Sequence, residues 1–298
     1  MITRSWPILP SHGGEHGCLG QRMSLDLRCG LVLMEQILRT SSWIDGSISM
    51  SEFSIAVPAH DRGENGPKWM RELLDTLKTQ TLQDFEVVVS DQSKNDNIMN
   101  ACKEYDFDFT YIKYEGDIPC ENINIALDNC EGRIIKIMFS DDIFMRKDAL
   151  ERIKHEYDTT DTKWAFSGFA NWDDRDHFDN KIPEWRDRTL EGNNHLSSPS
   201  VVSFLNECKE PFDHDLKLLL DVDFYHRMRW KNGRPNIIPE VLVANREHDD
   251  RISSDATSKY DCVVEHPDGN WMMNSKELQY VRQKYPDFFI NQKYPDEA

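Results

Sequence analysis

Between Phe53 and Phe139 the chain alternates short apolar runs with segments whose apolar residues recur at helical spacing. This alternation is typical of strands that are buried on both faces and connected by helices. Consecutive strands connected in this way pair in parallel, with helices packed on the faces of the sheet. The pattern therefore predicts an α/β fold with a mostly parallel sheet. Its first four predicted strands are Phe53–Pro58, Phe85–Ser90, Phe109–Tyr114 and Arg133–Phe139.

Helices are predicted to start at Pro67, near Asp96 and at Glu121. Proline suits the first position of a helix, and Asp96 suits the capping position before one. The rest of the chain is less regular, which predicts a mixed half that completes the same sheet. Its predicted elements are helices Asp148–Tyr157, Asp221–Lys231 and Asn274–Tyr285, with strands Trp164–Ala170, Val201–Leu205 and Ile237–Ala244. The last helix carries a capping pair, Asn274 and Glu277.

Residues 1–49 show no comparable periodicity, and Met50 stands just before the globular pattern begins. We therefore predict that 1–49 form an extension that is poorly structured or mis-called. Residues 50–298 are predicted to form one domain, with a parallel half at 50–145 and a mixed half at 146–298 that ends in the C-terminal helix.

The chain has 298 residues, with 53 acidic and 35 basic side chains, giving a net charge of −18. A surface this acidic repels a phosphate backbone, so no nucleic-acid partner is expected. The seven cysteines form no C-x-x-C pair, which favours free thiols in a reducing compartment. No run of 18 apolar residues is long enough to span a membrane. The sequence predicts a cytoplasmic protein, and leaves peripheral association with the inner face of the membrane open.

Three of the predicted strands end in polar groups. In open parallel sheets, ligands bind at the carboxyl ends of the strands. We therefore expect these groups to converge on one ligand site. The three strand ends read Pro58-Ala59-His60-Asp61-Arg62, Ser90-Asp91-Gln92-Ser93-Lys94-Asn95-Asp96 and Phe139-Ser140-Asp141-Asp142.

The ordered set F-S-I-A-V-P-A-H-D-R, Q-T-L-Q-D-F-E-V-V-V-S-D-Q-S-K-N-D and G-R-I-I-K-I-M-F-S-D-D resembles the family-2 glycosyltransferases. The resemblance implies their GT-A fold, a Rossmann-like, mostly parallel sheet flanked by helices, with a mixed acceptor-side half. It also implies metal-dependent transfer of a sugar from a nucleotide-diphosphate donor, commonly a UDP-sugar. The implied acceptor is a hydroxyl of a glycan or of a lipid-linked molecule. The parallel half, 50–145, would then bind the nucleotide-sugar, and 146–298 the acceptor.

The resemblance assigns the first two strand ends to the donor nucleotide. Pro58, Ala59, Asp61 and Arg62 match the family's nucleotide-proximal loop. Asp91 matches the aspartate that accepts a hydrogen bond from the base, commonly uracil, whose imide N–H is a donor. The alternative for Asp91 is a residue that closes a loop or caps a helix.

Asp141 and Asp142 match the family's acidic motif, which implies a site for Mn²⁺ or Mg²⁺. A divalent cation lets carboxylates and a diphosphate share one site, and these ions prefer oxygen ligands. Asp142 matches the direct metal ligand, and Asp141 lies nearer the ribose. Phe139 departs from the family, since it replaces the first acidic residue. His248 resembles the histidine of the family's C-terminal loop, and could bind the metal, bind the diphosphate, or be an ordinary loop residue.

Asp221 matches the family's catalytic carboxylate, the base that takes the proton of the acceptor hydroxyl in an inverting transfer. Leu220 departs from the family, because it replaces the glutamate that precedes this residue. Asp223 is the alternative base, and a carboxylate that favours the helix dipole is the structural alternative. The sequence leaves inversion and retention open. The segment Gly192–Ser200 matches the acceptor-side loop, while Trp172 or Trp185 could stack on a sugar.

Two other classes of function compete with this interpretation. The departures at Phe139 and Leu220 favour a non-catalytic nucleotide-sugar or carbohydrate-binding module on the same fold. A third class is an acidic interaction protein whose aspartates are only surface charge. The placement of the aspartates at successive strand ends argues against that third class.

Overall fold

The computed structural model describes residues 38–39, 50–61, 65–173, 178–186, 189, 194–249, 264–265, 271–272, 276–291 and 293–297. These residues all belong to one compact unit, Gln36–Ala298. The predictions for Arg62, for the Asn274 cap and for the first two residues of Gly192–Ser200 lie outside the described residues. So does almost all of 1–49, and the domain boundary at residue 50 stays a prediction.

The parallel half of the sheet contains three fully buried strands, one partly buried strand and one short edge strand. In chain order these are β1 (Leu38–Arg39), β2 (Phe53–Ala59), β3 (Phe85–Asp91), β4 (Phe109–Lys113) and β5 (Ile134–Ile137). β2 pairs in parallel with β3 and with β5, and β3 pairs in parallel with β4. β1 pairs antiparallel with β4. Each of the four predicted strands is present, and the parallel pairing is confirmed.

Pro58 shapes the opening at the end of β2. β2 pairs with β3 as far as Ala59, but its pairing with β5 stops at Ala56 opposite Ile137. The Ala56 carbonyl faces the β5 side, where it accepts the N–H of Met138. Two residues later Pro58 faces the same side and has no N–H to donate. The chain after β5 therefore separates from β2, which leaves space at the carboxyl ends of the strands.

The helices that connect these strands are α1 (Gly66–Lys78), α2 (Asn97–Cys102) and α3 (Pro119–Asp128). α1 buries Met70, Leu73, Leu74 and Leu77 at helical spacing, as the sequence predicts. The capping prediction for Asp96 is wrong in one respect. Asp96 occupies the N-cap position of α2, but its side chain makes no capping hydrogen bond. The side chain of Asn95 accepts the N–H of Asn97 instead.

The mixed half continues the same sheet beyond β5. In chain order its elements are β6 (Ile143–Phe144), α4 (Ala149–Thr159), β7 (Trp164–Trp172), β8 (Phe178–Lys181), β9 (Val202–Leu205), α5 (Leu220–Asn232) and β10 (Asn236–Arg246). The described strands are arranged in the order β1-β4-β3-β2-β5-β9-β7-β10-β6, with β8 beside β7. β9 pairs antiparallel with both β5 and β7, while β7 and β10 pair in parallel. The predicted α/β class with a mixed second half is confirmed.

The last described elements are the pair β11 (Val264–Glu265) and β12 (Trp271–Met272), followed by α6 (Lys276–Lys284) and α7 (Pro286–Asn291). Single-turn 3₁₀ helices lie at Pro199–Val201, Asn206–Cys208 and Pro295–Glu297. None of the helices among the described residues combines the length and the apolar character that crossing a bilayer requires.

Residues from α6 and the following segment pair with charges on α5. Asp223 is fully buried, and its carboxylate accepts from Arg227 Nε at 2.9 Å, Lys284 Nζ at 2.9 Å and Tyr285 Oη at 2.8 Å. Arg229 is also buried and donates to Asp296 at 2.6 Å. These charged contacts connect the C-terminal segment to α5 alongside aromatic packing of Phe288 and Tyr294 on His226.

Replacing Asp223 with alanine is expected to lower the free energy of unfolding by about 3–5 kcal/mol, because Arg227 and Lys284 would lose a buried partner. Denaturant unfolding followed by circular dichroism measures this loss. The matched control is Glu104→Ala, which breaks an exposed ion pair with Arg71 and should cost less than about 1 kcal/mol. Equal losses in the two variants would show that the Asp223 network has no special role in stability.

Candidate functional site

A cavity of about 770 Å³ opens at the carboxyl ends of β2, β3 and β5. This is the edge at which the sequence places the three polar strand ends, and they do converge there. The residues that these ends contribute to the cavity are Pro58, Ala59, His60, Asp61, Gln92, Lys94, Asn95, Phe139, Ser140, Asp141 and Asp142. The parallel half also contributes Gly116, Asp117, Pro119, Asn122 and Ile123. The residues from the mixed half include Asn171, Asn194, Ser197, Lys217, Leu220, Asp221 and Asn245.

Side-chain amides fix the ends of β2 and β3. Buried Asn122, on α3, donates to the carbonyl of Ala59 at 3.1 Å and accepts from Ser90 Oγ at 2.6 Å. Asn95 donates to Asp61 Oδ2. Within the part of the chain that the structure describes, buried Asp61 Oδ1 has no hydrogen-bond partner. Asp61 therefore borders the cavity with an oxygen that lacks a hydrogen-bond partner. Such an oxygen could accept a hydrogen bond from a hydroxyl or N–H group of a ligand.

Asp91 lies at the end of β3 but is fully buried and does not line the cavity. Its carboxylate accepts from the Ser93 N–H at 2.8 Å, from Tyr111 Oη, and from Lys113 Nζ at 3.0 Å. These contacts fix the turn that leads to Gln92, Lys94 and Asn95. The structure thus places Asp91 where it closes the loop after β3. Recognition of the nucleotide base by Asp91 stays a prediction.

Asp141 and Asp142 lie in the turn after β5, and both border the cavity. Asp142 is 4% exposed and accepts the N–H of Arg246 at 2.9 Å. Burial, and then the adjacent charge of Asp141, raises the pKa of Asp142 above its usual range. The charge of Asp141 therefore disfavours the ionised form of Asp142 unless a cation joins the two carboxylates.

Two residues from the end of β10 enclose the same turn: Arg246 is the last residue of β10, and His248 lies two positions after it. His248 Nε2 lies 2.9 Å from Asp141 Oδ2, and the imidazole ring packs on Trp69 with centroids 4.4 Å apart. The guanidinium of Arg246 is fully buried, 4.0 Å from the ring centre of Trp172, and donates to the carbonyl of Asp141 at 3.0 Å. The structure therefore places His248 at the predicted acidic site, and its role as a metal ligand stays a prediction.

The oxygen donors at this turn suit a hard divalent cation. Among the described residues, no cluster of three or more His, Cys, Asp or Glu side chains is arranged to hold a metal. Mg²⁺ and similar ions, however, are usually bound through one or two carboxylates together with substrate phosphates and water. Asp141 and Asp142 fit that kind of site, because they supply carboxylate oxygens to a cavity large enough for a substrate.

Asp221 is at the start of α5 and borders the cavity from the mixed half. Its carboxylate accepts from Asn194 Nδ2 at 2.6 Å and from the Val222 N–H at 2.7 Å. Burial raises the pKa of Asp221 to about 6, although both hydrogen bonds favour the ionised form. A carboxylate with this pKa is ionised at neutral pH and is basic enough to accept a proton. Asp223, the alternative base, is buried in its ion-pair network and does not line the cavity.

A polar network that sequence reasoning missed lies beside Asp221. Ser197 has a positive φ of 76°, and its carbonyl accepts from Asn194 at 2.9 Å and from Tyr225 Oη at 3.1 Å. Asn245 donates to Ser197 Oγ at 2.7 Å. The sequence matches this segment to an acceptor-side loop, but it gives no sign that Asn245, at the end of β10, would join it.

The two tryptophans suggested for sugar stacking do not line the cavity. Trp172 stacks on Phe178, with centroids 5.8 Å apart, and on Arg246. Trp185 packs edge-on against Trp164, with centroids 5.6 Å apart. Both rings are engaged in packing within the protein, and stacking of either on a sugar stays a prediction.

Three comparisons with known proteins bear on this site. Among curated proteins, none matches the sequence at a significant level. Solved structures of S. aureus TarS match over the fold. The TarS 1–349 complex with UDP-GlcNAc has a TM-score of 0.56 and 21% identity, and the match covers 68% of this chain and 61% of that one. The complex with UDP has a TM-score of 0.54 and 20% identity, covering 66% and 61%.

A mannosyltransferase, PcManGT from Pyrobaculum calidifontis, solved with GDP-Man and Mn²⁺, is more distant, with a TM-score of 0.47 and 18% identity. The match covers 69% of this chain and 60% of the mannosyltransferase chain. The chain thus spans about 60% of the length of the structures it matches.

The family model described as Glycosyl transferase family 2 matches residues 54–205. This region contains β2 from its second residue, together with β3 to β9, and thus the strand ends of the parallel half that border the cavity. The family resemblance carried by the strand-end motifs is therefore confirmed. Because the match covers half of the 298 residues, the chain belongs to glycosyl transferase family 2.

Proposed function

We propose that this protein transfers a sugar from a nucleoside-diphosphate donor to a hydroxyl group of a glycan or lipid-linked acceptor. The observation that carries the proposal is that Asp141, Asp142 and Asp221 line one cavity at the carboxyl ends of the strands. Asp221 takes the proton of the acceptor hydroxyl, whose oxygen attacks the anomeric carbon. The bond between that carbon and the diphosphate breaks, and the nucleoside diphosphate leaves with the bonding electrons. Attack opposite the leaving group inverts the anomeric configuration.

The charges around the cavity support a donor that arrives with a divalent cation. Among the described residues of its wall, the carboxylates outnumber the lysines, and the one arginine, Arg246, is paired with Glu72. A diphosphate alone would meet net repulsion. Asp142, with Asp141 beside it, would hold Mn²⁺ or Mg²⁺, which supplies Lewis-acid stabilisation of the leaving diphosphate.

A donor panel tests the proposed function. UDP-, GDP- and dTDP-sugars are incubated with the protein, with and without Mn²⁺, and release of nucleoside diphosphate is measured. UDP-GlcNAc is the first donor to test, since structural neighbours were solved with UDP and UDP-GlcNAc. We expect Mn²⁺-dependent release from at least one donor. The absence of release from every donor, with and without simple glycan acceptors, would contradict the proposal.

A second function, non-catalytic binding of a nucleotide-sugar, is favoured by one observation: Phe139 and Leu220 both border the cavity. These apolar side chains stand where the family resemblance implies carboxylates. A binding module that holds a nucleotide-sugar without transferring it would tolerate both. Calorimetry with the same donors separates the two functions, because a module binds a donor and releases no nucleoside diphosphate.

A further inference from the structure

Glu277, on α6, makes three hydrogen bonds to a segment about 60 residues earlier in the chain. Its carboxylate accepts the N–H of Lys217 at 3.0 Å and the N–H groups of Leu218 and Leu219 at 2.9 Å each. The capping pair predicted with Asn274 therefore misses the main contacts of Glu277, which are these long-range ones.

The segment that Glu277 binds leads directly into α5. Leu219 occupies the N-cap position of α5, and leucine has no oxygen with which to cap a helix. Lys217 and Leu218 border the cavity, and Asp221 follows three residues after Leu218. Glu277 thus accepts the N–H groups of the N-cap residue and of the two residues before it, and fixes the turn that leads to the proposed base.

We propose that Glu277 is a positioning residue for the transfer reaction: it orders the turn before α5 and so sets the placement of Asp221. This inference rests on the proposed function. Glu277 does not touch the substrate in this role; it acts through the backbone of residues 217–219 and through its charge.

The negative charge of Glu277 affects the pKa of Asp221 in a definite direction. After burial, which is the largest cause, the negative charge of Glu277 also raises the pKa of Asp221. Among the described residues, the other ionisable groups near Asp221 include Lys217 on the cavity wall, Tyr225 on α5 and Cys120 on α3. Asn194 contributes a neutral amide. Removal of the Glu277 charge should therefore lower the pKa of Asp221 and make it a weaker base.

The test compares Glu277→Gln with Glu277→Asp in the full-length protein. Gln keeps the length and one carbonyl oxygen but loses the charge, whereas Asp keeps the charge but shortens the reach. In Glu277→Gln we expect the acid limb of the kcat–pH profile, near pH 6 in the parent, to move to lower pH. We also expect kcat to fall by on the order of tenfold, with a smaller change in KM for the donor. In Glu277→Asp the acid limb should stay near its parental pH while kcat falls.

Hydrogen exchange of peptides covering residues 217–219 provides a readout that is independent of turnover, and both variants should exchange faster there than the parent. Asp287→Asn, which removes an exposed carboxylate from α7, is the matched control and should change neither readout. An active parent with unchanged kcat, pH profile and exchange in Glu277→Gln would overturn the inference alone. A parent without turnover on any donor would overturn the proposed function, and the inference with it.

Discussion

Replacing Asp142 with asparagine is expected to reduce release of nucleoside diphosphate by about a hundredfold or more. Asparagine keeps an oxygen to accept the Arg246 N–H, so the turn after β5 should remain folded. It removes the charge through which Asp142 would bind a divalent cation. Stabilisation of the leaving group by a metal is worth several kcal/mol, and each 1.36 kcal/mol is about tenfold in rate. Steady-state release from the best donor, with saturating Mn²⁺, measures the loss.

Two controls make this result specific to the proposed cation site. Asp117→Asn removes another carboxylate from the cavity wall and should leave most of the activity. Chelation of divalent ions should lower the activity of the parent to about the level of Asp142→Asn, and should change the variant little. Full activity in Asp142→Asn, or in the chelated parent, would remove the metal from the proposed function.

Replacing Asp221 with asparagine should leave donor binding intact and reduce transfer to an acceptor by about 10²- to 10⁴-fold, the usual contribution of a general base. Because the pKa of Asp221 is raised to about 6, the parent should lose activity as the pH falls below that value, when the base becomes protonated. The residual activity of Asp221→Asn should not show this acid limb. Product formation with a labelled donor, measured between pH 5 and 8, gives both results.

Donor binding is the control for this variant, since asparagine places an amide group where Asp221 accepts from Asn194 and Val222. Calorimetry should give a donor affinity within a few-fold of the parent. Unchanged turnover in Asp221→Asn would remove this residue as the base. Weakened donor binding would indicate that Asp221 supports the cavity wall instead.

The strands of the parallel half could be predicted because continuous apolar runs in the sequence indicate buried strands. Val87, Val88 and Val89 in β3 are fully buried on both faces, so no polar alternation obscures the strand. Each run ends in polar residues at the sheet edge, so the convergence of Asp61, Asp141 and Asp142 on one cavity followed from parallel topology alone.

Other parts of the site depend on contacts that local pattern does not encode. Nothing around Glu277 indicates that it binds the backbone of residues 217–219, because those partners are about 60 positions away. α5 buries Asp223, His226 and Arg229, so it has no clean apolar stripe from which a contact face can be predicted. Asp91 was identified by motif, but its burial under Tyr111 and Lys113 is set by the neighbouring strand β4.

The charged contacts between α5 and the C-terminal segment impose an order on the folding of a newly synthesised chain. The parallel half consists of elements adjacent in sequence, and all of them are synthesised before the C-terminal segment. Asp223 and Arg229 meet Lys284, Tyr285 and Asp296 only after those residues leave the ribosome. The wall that carries Asp221 therefore gains these contacts only after the C-terminal segment has been made, later than every strand of the parallel half.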